Sequence, residues 1–228
     1  MKKKTNKVLA IIFTALFLST SCHKENSEDV NQNRIYASYE VFYNANEDKT
    51  YARASFRFGN ATGTLLELTN PSEVRFNNEL LSFKPALVYY EKDFAGLIQS
   101  GSFQWKDTDG NSFTNSINFH PINYPANIDT IHRNAAYEFF WQGDSLVANE
   151  LVTLTINGVL EGDAQIFTQS NINSKSIILA MNRLQLLGEG QGQLWLDRNY
   201  SPALTEKTSA GGTINARYRP VNKTVYLK

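Results

Sequence analysis

From Arg34 onward, apolar and polar residues alternate with a period of two, and this pattern limits the fold more than any other feature of the chain. Ile35, Ala37, Tyr39, Val41 and Tyr43 fall on one side of an extended segment; Tyr36, Ser38, Glu40 and Phe42 fall on the other. The run Tyr51 to Phe58 repeats the pattern, setting Ala52, Ala54, Phe56 and Phe58 against Arg53, Ser55 and Arg57. Such alternation predicts strands with one face buried. Further strands are expected at 64–68, 74–76, 80–83, 86–90, 103–105 and 112–119. They are punctuated by Gly59-Asn60, Asn70-Pro71, Asn77-Asn78 and Asp109-Gly110. Short strands between frequent turns point to an all-β, antiparallel sandwich rather than to β-α-β units. With 14 Phe, 11 Tyr and 3 Trp there is ample material for a core.

Pro121 and Pro125 interrupt the pattern, and proline is excluded from central strands. The expected organisation is therefore two β-sandwich units, 34–120 and 121–228, each of ordinary domain size. The second unit is expected to hold strands at 128–131, 136–141, 151–157, 164–168, 176–180, 193–198, 212–219 and 224–227. Residues 174–187 are ambiguous between strand and helix, because Ile177, Met181, Leu184 and Leu187 recur at near-helical spacing. A strand running into a short helical corner is preferred. The run from Leu184 through Gly188, Gly190, Gly192, Leu194 and Leu196 resembles the crossing between sheets in immunoglobulin-like modules of bacterial surface proteins. That resemblance implies an immunoglobulin-like second sandwich.

Residues 1–21 form a basic start followed by an apolar stretch from Val8 to Leu18. Eleven residues are too few to span a hydrocarbon core of about 30 Å, so the segment fits a cleaved signal peptide. Ser19, Thr20 and Ser21 then lead into Cys22, the single cysteine of the chain. This arrangement resembles a relaxed lipobox of Bacteroidota-type lipoproteins. The resemblance implies lipidation of Cys22 and anchoring to the outer membrane. Acyl chains contribute about 0.8 kcal/mol per buried CH₂, so several on one cysteine hold a domain firmly. Residues 22–33 are polar and acidic, which predicts a flexible tether. Lys24-Glu25 also resembles a surface-export signal, leaving both faces of the outer membrane open.

Composition excludes several function classes. Four of the 22 basic residues (Lys2, Lys3, Lys4 and Lys7) and none of the 22 acidic ones fall in residues 1–21, so the remainder carries a net charge of −4. No basic stripe is available for nucleic acid. One cysteine excludes an intrachain disulfide and a cysteine-rich zinc module, and no cofactor or metal is expected. Asp107-Thr108-Asp109-Gly110-Asn111 has calcium-like spacing, but position 12 of such a loop is Asn118, so a hairpin turn is expected. Gly188, Gly190 and Gly192 do not form the dinucleotide fingerprint.

Gly143-Asp144-Ser145-Leu146 resembles the nucleophile block of GDSL hydrolases, which would make Ser145 catalytic. That chemistry needs a histidine base from a C-terminal block, whereas His23, His120 and His132 all precede Ser145. A turn is the expected role, and the chain is expected not to be an enzyme. Asp129-Thr130-Ile131 and Asp144-Ser145-Leu146 resemble Bacteroidota-type O-glycosylation triplets, marking Thr130 and Ser145. The remaining hint of binding is aromatic. Phe139-Phe140-Trp141 and Tyr89-Tyr90 are consecutive, so a strand must turn at least one ring of each group away from the core. Tyr89, Tyr90, Trp105, Phe140, Trp141 and Trp195 are the candidate ligand-binding aromatics. The expected function is a non-enzymatic lipoprotein that presents two modules for binding or assembly, with a glycan or an envelope protein as partner. The alternatives are a glycan-binding accessory of polysaccharide uptake, a fimbrial or adhesin-like subunit and, last, a serine hydrolase.

Overall fold

The computed structural model describes residues 24–228. The signal segment 1–21 and the lipidation candidate Cys22 lie outside the described residues.

The first strand overturns the expected tether. β1 (Lys24–Asn26) pairs in parallel with β4 (Leu65–Glu67). Behind it Ser27 is fully buried, and its hydroxyl meets Thr69 Oγ1 at 3.1 Å and accepts from Thr69 N at 2.9 Å. Gln32 is buried too, donating to the carbonyls of Ser27 and Val30. Polarity suggested a solvated leash, but here the polar groups bond to the module's own backbone.

The first module continues with β2 (Ile35–Asn44) and β3 (Lys49–Phe58), a hairpin in register from Ile35 opposite Phe58 to Asn44 opposite Lys49. β5 (Glu73–Phe76), β6 (Glu79–Leu80), β7 (Ser82–Lys84), β8 (Tyr89–Ala95), β9 (Ser100–Lys106) and β10 (Ser112–Asn118) follow. β4 and β8 both pair with β3, and β7 with β8. The facing sheet has the order β10-β9-β5-β6. Ile35, Ala37, Tyr39, Val41 and Tyr43 all enter the core, as the alternation requires. They meet Val74, Phe76, Phe103 and Trp105 from the other sheet. The strand expected at 86–90 begins instead at Tyr89, because the chain turns at Val88, whose φ is +50°.

The cores change over at the prolines: Phe119 lies in the first and Ile122 in the second. The second module holds β11 (Thr130–Ile131), β12 (Tyr137–Phe140), β13 (Glu150–Asn157), β14 (Gln165–Gln169) and β15 (Ser176–Leu179). A single-turn helix α1 (Met181–Leu184) then crosses to β16 (Gly190–Tyr200), followed by β17 (Gly212–Arg219) and β18 (Lys223–Leu227). The expected strand and helical corner at 174–187 are both present. Seven strands make the sandwich, with β11, β18, β16, β13 and β14 in one sheet and β12 and β15 in the other. The fold is all-β, with immunoglobulin-like sandwich construction. Gly192 is required at the crossing, since a Cβ there would stand 2.7 Å from the carbonyl oxygen of Asn157. No helix among the described residues is long and apolar enough to cross a membrane.

β17 departs from its expected place. It pairs in parallel with β2, from Gly212 opposite Ala37 to Arg219 opposite Asn44, and meets β16 antiparallel at Arg198–Tyr200. Ile214 and Ala216, with Leu204 before them, lie in the core of the first module. One sheet therefore runs through both modules in the order β1-β4-β3-β2-β17-β16-β13-β14.

Candidate functional site: a charge-matched aromatic face

The outward side of this shared sheet carries three cross-strand rows where β17, β2 and β3 lie side by side. Thr213, Ser38 and Ser55 form the first; Asn215, Glu40 and Arg53 the second; Arg217, Phe42 and Tyr51 the third. β8 extends the second row with Glu91. Side chains directly opposite one another on one face of a sheet interact, so register assembles the surface. Phe42 is the apolar member. The Arg217 guanidinium lies 3.8 Å from its ring centroid and that of Arg219 5.6 Å, while Tyr51 stacks on it at 6.2 Å. Arg219 also reaches the Trp195 ring at 5.8 Å, and Arg53 lies over Tyr51 at 5.1 Å. Guanidinium over an aromatic face is favourable by about 0.5–2 kcal/mol, which rigidifies the row.

Each arginine of the face is matched by acid. Arg53 donates to Glu91 at 2.7 Å and to Glu40 at 3.3 Å; Arg217 reaches Glu40 at 3.4 Å; Arg219 donates to Asp197 at 2.8 and 2.6 Å. Burial works against the Arg53 charge, but Glu91 and Glu40 outweigh it and hold the guanidinium above its usual range. Burial, followed by Glu91, raises Tyr89, which stays a neutral phenol. Between the rows lies an open cleft of about 340 Å³, lined by Ser38, Glu40, Arg53, Tyr89, Thr213 and Asn215 among others. Its lining offers hydroxyl, amide and paired charge beside Tyr89, with the inward-facing Tyr39 and Ala54 at its floor.

Two of the six aromatic candidates belong to this face. Trp195 is 38% exposed, and Tyr89 edges the cleft. Phe140 is 56% exposed but stands on the other sheet of the second module, diagonal to the exposed Ile178. Trp105, Trp141 and Tyr90 are core residues, which corrects their assignment as ligand-binding aromatics. Trp105 stacks on Phe113 at 4.8 Å and donates to Ser72; Trp141 donates to the carbonyl of Asp144; the Tyr90 hydroxyl accepts from Leu68 N. Alternation is the reason: within each consecutive group one ring points out, and its neighbours must point in. Sequence reasoning passed over Glu40, Phe42, Tyr51, Arg53, Arg217 and Arg219. A large apolar Phe42 among the polar outward positions of β2 was the available signal.

The remaining motifs resolve into structure. Gly143 takes φ +124°, and a Cβ on it would meet the carbonyl oxygen of Pro121 at 2.8 Å. Arg198 donates to the carbonyls of Asp144 and Ser145, and Leu146 is fully buried. The block is a turn pinned by its backbone. His120 is bonded to Glu150, and no hydrogen bond joins the Ser145 hydroxyl to a base among the described residues. Gly143→Ala is expected to cost about 1–3 kcal/mol through backbone strain. Ser145→Ala should stay within about 0.5 kcal/mol of the parent. Urea denaturation of the pair checks this, and a larger loss for Ser145→Ala would mean that the hydroxyl carries the turn. Thr130 and Ser145 are both partly exposed and each precedes a fully buried residue, Ile131 or Leu146. The Asp107 carboxylate accepts from Asn111 N at 2.8 Å and from Asn111 Nδ2 at 2.9 Å, closing the β9–β10 hairpin.

No protein-family model and no curated protein matches the chain. Among solved structures, similarity is found to a chain described under host cell surface retention of a 1.5-MDa bacterial ice-binding adhesin. The identity is 12% over 84% of this chain and 65% of that one, with a TM-score of 0.24. The FN1–FN3 domains of chicken CNTN1 match at 10% identity over 83% and 65%, with a TM-score of 0.27. The Bacteroides ovatus mixed-linkage glucan utilization locus SGBP-B, in complex with a mixed-linkage heptasaccharide, matches at 12% over 79% and 53%, also with a TM-score of 0.27. The chain thus spans between about half and two thirds of each. At these scores the fold rests on the strand pairing described above.

Proposed function

We propose that the protein is a non-enzymatic outer-membrane lipoprotein, anchored through Cys22, that binds its partner on the open face of the shared sheet. The reading rests on one observation above all: aromatic rings and mutually paired charges are brought together there by strands from both modules. Phe42, covered by Arg217, Arg219 and Tyr51, gives this face a fixed apolar base.

A neutral glycan is the ligand class this face fits best. Its three arginines already have carboxylate partners, so it offers no surplus charge to a polyanion. What it does offer is hydroxyl and amide groups beside Tyr89, with Trp195 further along. Sugar rings stack on such aromatics and bond to such polar groups. The test is native-gel retardation of residues 24–228 on a panel of neutral and acidic polysaccharides. Retardation by a neutral polymer is expected, with Trp195→Ala and Tyr89→Ala each weakening it about tenfold or more. Failure to bind any polymer, or retardation that both variants leave intact, would remove this face as a glycan site.

A further inference from the structure

The geometry points to the β1–β4 edge of the first module as a membrane-contact surface that rests on lipid headgroups without an intervening leash. This rests on the reading of Cys22 as the lipidated residue. Two Cα–Cα steps of about 3.8 Å separate Cys22 from Lys24, so Lys24 lies within about 7 Å of the anchor whatever path the chain takes. Lys24 is itself part of the module. Its strand is in register with Leu65–Glu67, its ammonium pairs with Glu67, and it stands 5.4 Å from the centre of the Phe83 ring. Buried Ser27 and Gln32 fasten the next turn. A free tether of a dozen residues would let the module tumble; an anchor two residues before a strand that belongs to the module holds it close.

The order of strands in the shared sheet then sets a scale. β14 stands seven strands from β1, or about 34 Å at the usual spacing of about 4.8 Å. The β1 edge, with β7 beside it, faces the bilayer, and β14 of the second module is the far edge. The binding face is held between them at a fixed height rather than on a swinging arm.

The experiment uses the full lipidated chain in phosphatidylcholine vesicles carrying a headgroup energy acceptor. Acylation blocks Cys22, so a donor dye can be placed singly at Lys84→Cys on β7 or at Thr168→Cys on β14, both exposed positions. Strong transfer is expected from position 84 and several-fold weaker transfer from position 168. Inserting fifteen Gly/Ser residues between His23 and Lys24 should bring the two values together, since such a linker spans about 20 Å on average. Equal transfer from both sites without the insertion overturns the contact surface, as does a difference that the insertion leaves unchanged. A chain that fails to float with the vesicles overturns the lipid anchor itself, and the contact surface with it.

Discussion

Replacing Arg198 with methionine is expected to lower the stability of the protein by about 3–5 kcal/mol, the usual cost of leaving one member of a buried ion pair alone. Arg198 is 2% exposed and Glu150 beside it is fully enclosed at its side chain. The guanidinium donates to both carboxylate oxygens, at 2.8 and 2.6 Å, and to the carbonyls of Asp144 and Ser145. Glu150 also accepts from Val147 N at 2.7 Å and is bonded to His120, whose ring stacks on Tyr200 at 4.5 Å. The cluster therefore ties the linker, the 143–149 turn and two central strands together. Arg198→Met leaves four acceptors without their donor at once: both Glu150 carboxylate oxygens and the carbonyls of Asp144 and Ser145. The double variant Arg198→Met/Glu150→Gln should recover part of the loss, because the charge is gone. A urea series at pH 7 reads both; a loss below about 1 kcal/mol would mean that water reaches Glu150.

The same pair gives a pH dependence of definite sign. Burial alone would raise the Glu150 carboxyl, but hydrogen bonds from Arg198, Val147 N and His120 outweigh it and hold the group below its ordinary value. A carboxyl with a depressed folded value stabilises the fold fully above its unfolded value, about 4.3, and loses that contribution as pH falls through the folded value. In Arg198→Met the stranded carboxylate can protonate, so the gap between parent and variant should narrow from pH 7 to pH 3. A gap that stays constant across this range would show that Glu150 does not titrate with folding.

Residues 24–120 produced alone are expected not to fold cooperatively, although the prolines at 121 and 125 suggest a natural end there. The fragment lacks β17, and with it Leu204, Ile214 and Ala216 of its own core. Ile214→Ala by itself should cost about 2–5 kcal/mol, a large share of a total of about 5–15 kcal/mol for an ordinary domain. The cut also bares the β2 edge along an eight-residue register with β17, an invitation to aggregate. Amide NMR dispersion and thermal melting of the fragment check this, with the full chain as control. Adding a peptide of residues 201–219 should restore dispersion. A fragment that melts sharply without the peptide would show that the first core closes without β17.

The binding face divides between what alternation determines and what register decides. Which side of each strand points outward could be read from residues 35–58, and the structure keeps every one of the five inward positions of β2. The same rule identifies Trp195 as an outward residue of β16, opposite Thr155 and two residues from Asp197. It could also have warned that Tyr90 and Trp141 point inward, since Tyr90 follows the outward Tyr89 in β8 and Trp141 follows the outward Phe140 at the end of β12. Trp105 lies inward for the same reason, between Gln104 and Lys106.

Local sequence by itself determined the β class, the turns at Asp107–Asn111 and Gly143–Leu146, the helical corner at 181–184 and the change of core near Pro121. Each is signalled by residues within a few positions of one another, where periodicity, φ preference and short-range hydrogen bonds act, although Arg198 from β16 also holds the 143–146 turn. Only the tertiary structure decided that residues 24–33 dock, that β17 completes the first module, and that Arg217 comes to lie on Phe42. These pairings join segments some 40 to 175 residues apart. The side of β2 that faces away from β3 could accept any strand of suitable pattern, because the backbone hydrogen bonds of a sheet are alike for every sequence. What selects the partner is the packing of side chains such as Ile214 and Ala216 into a core to which both sheets of the first module contribute.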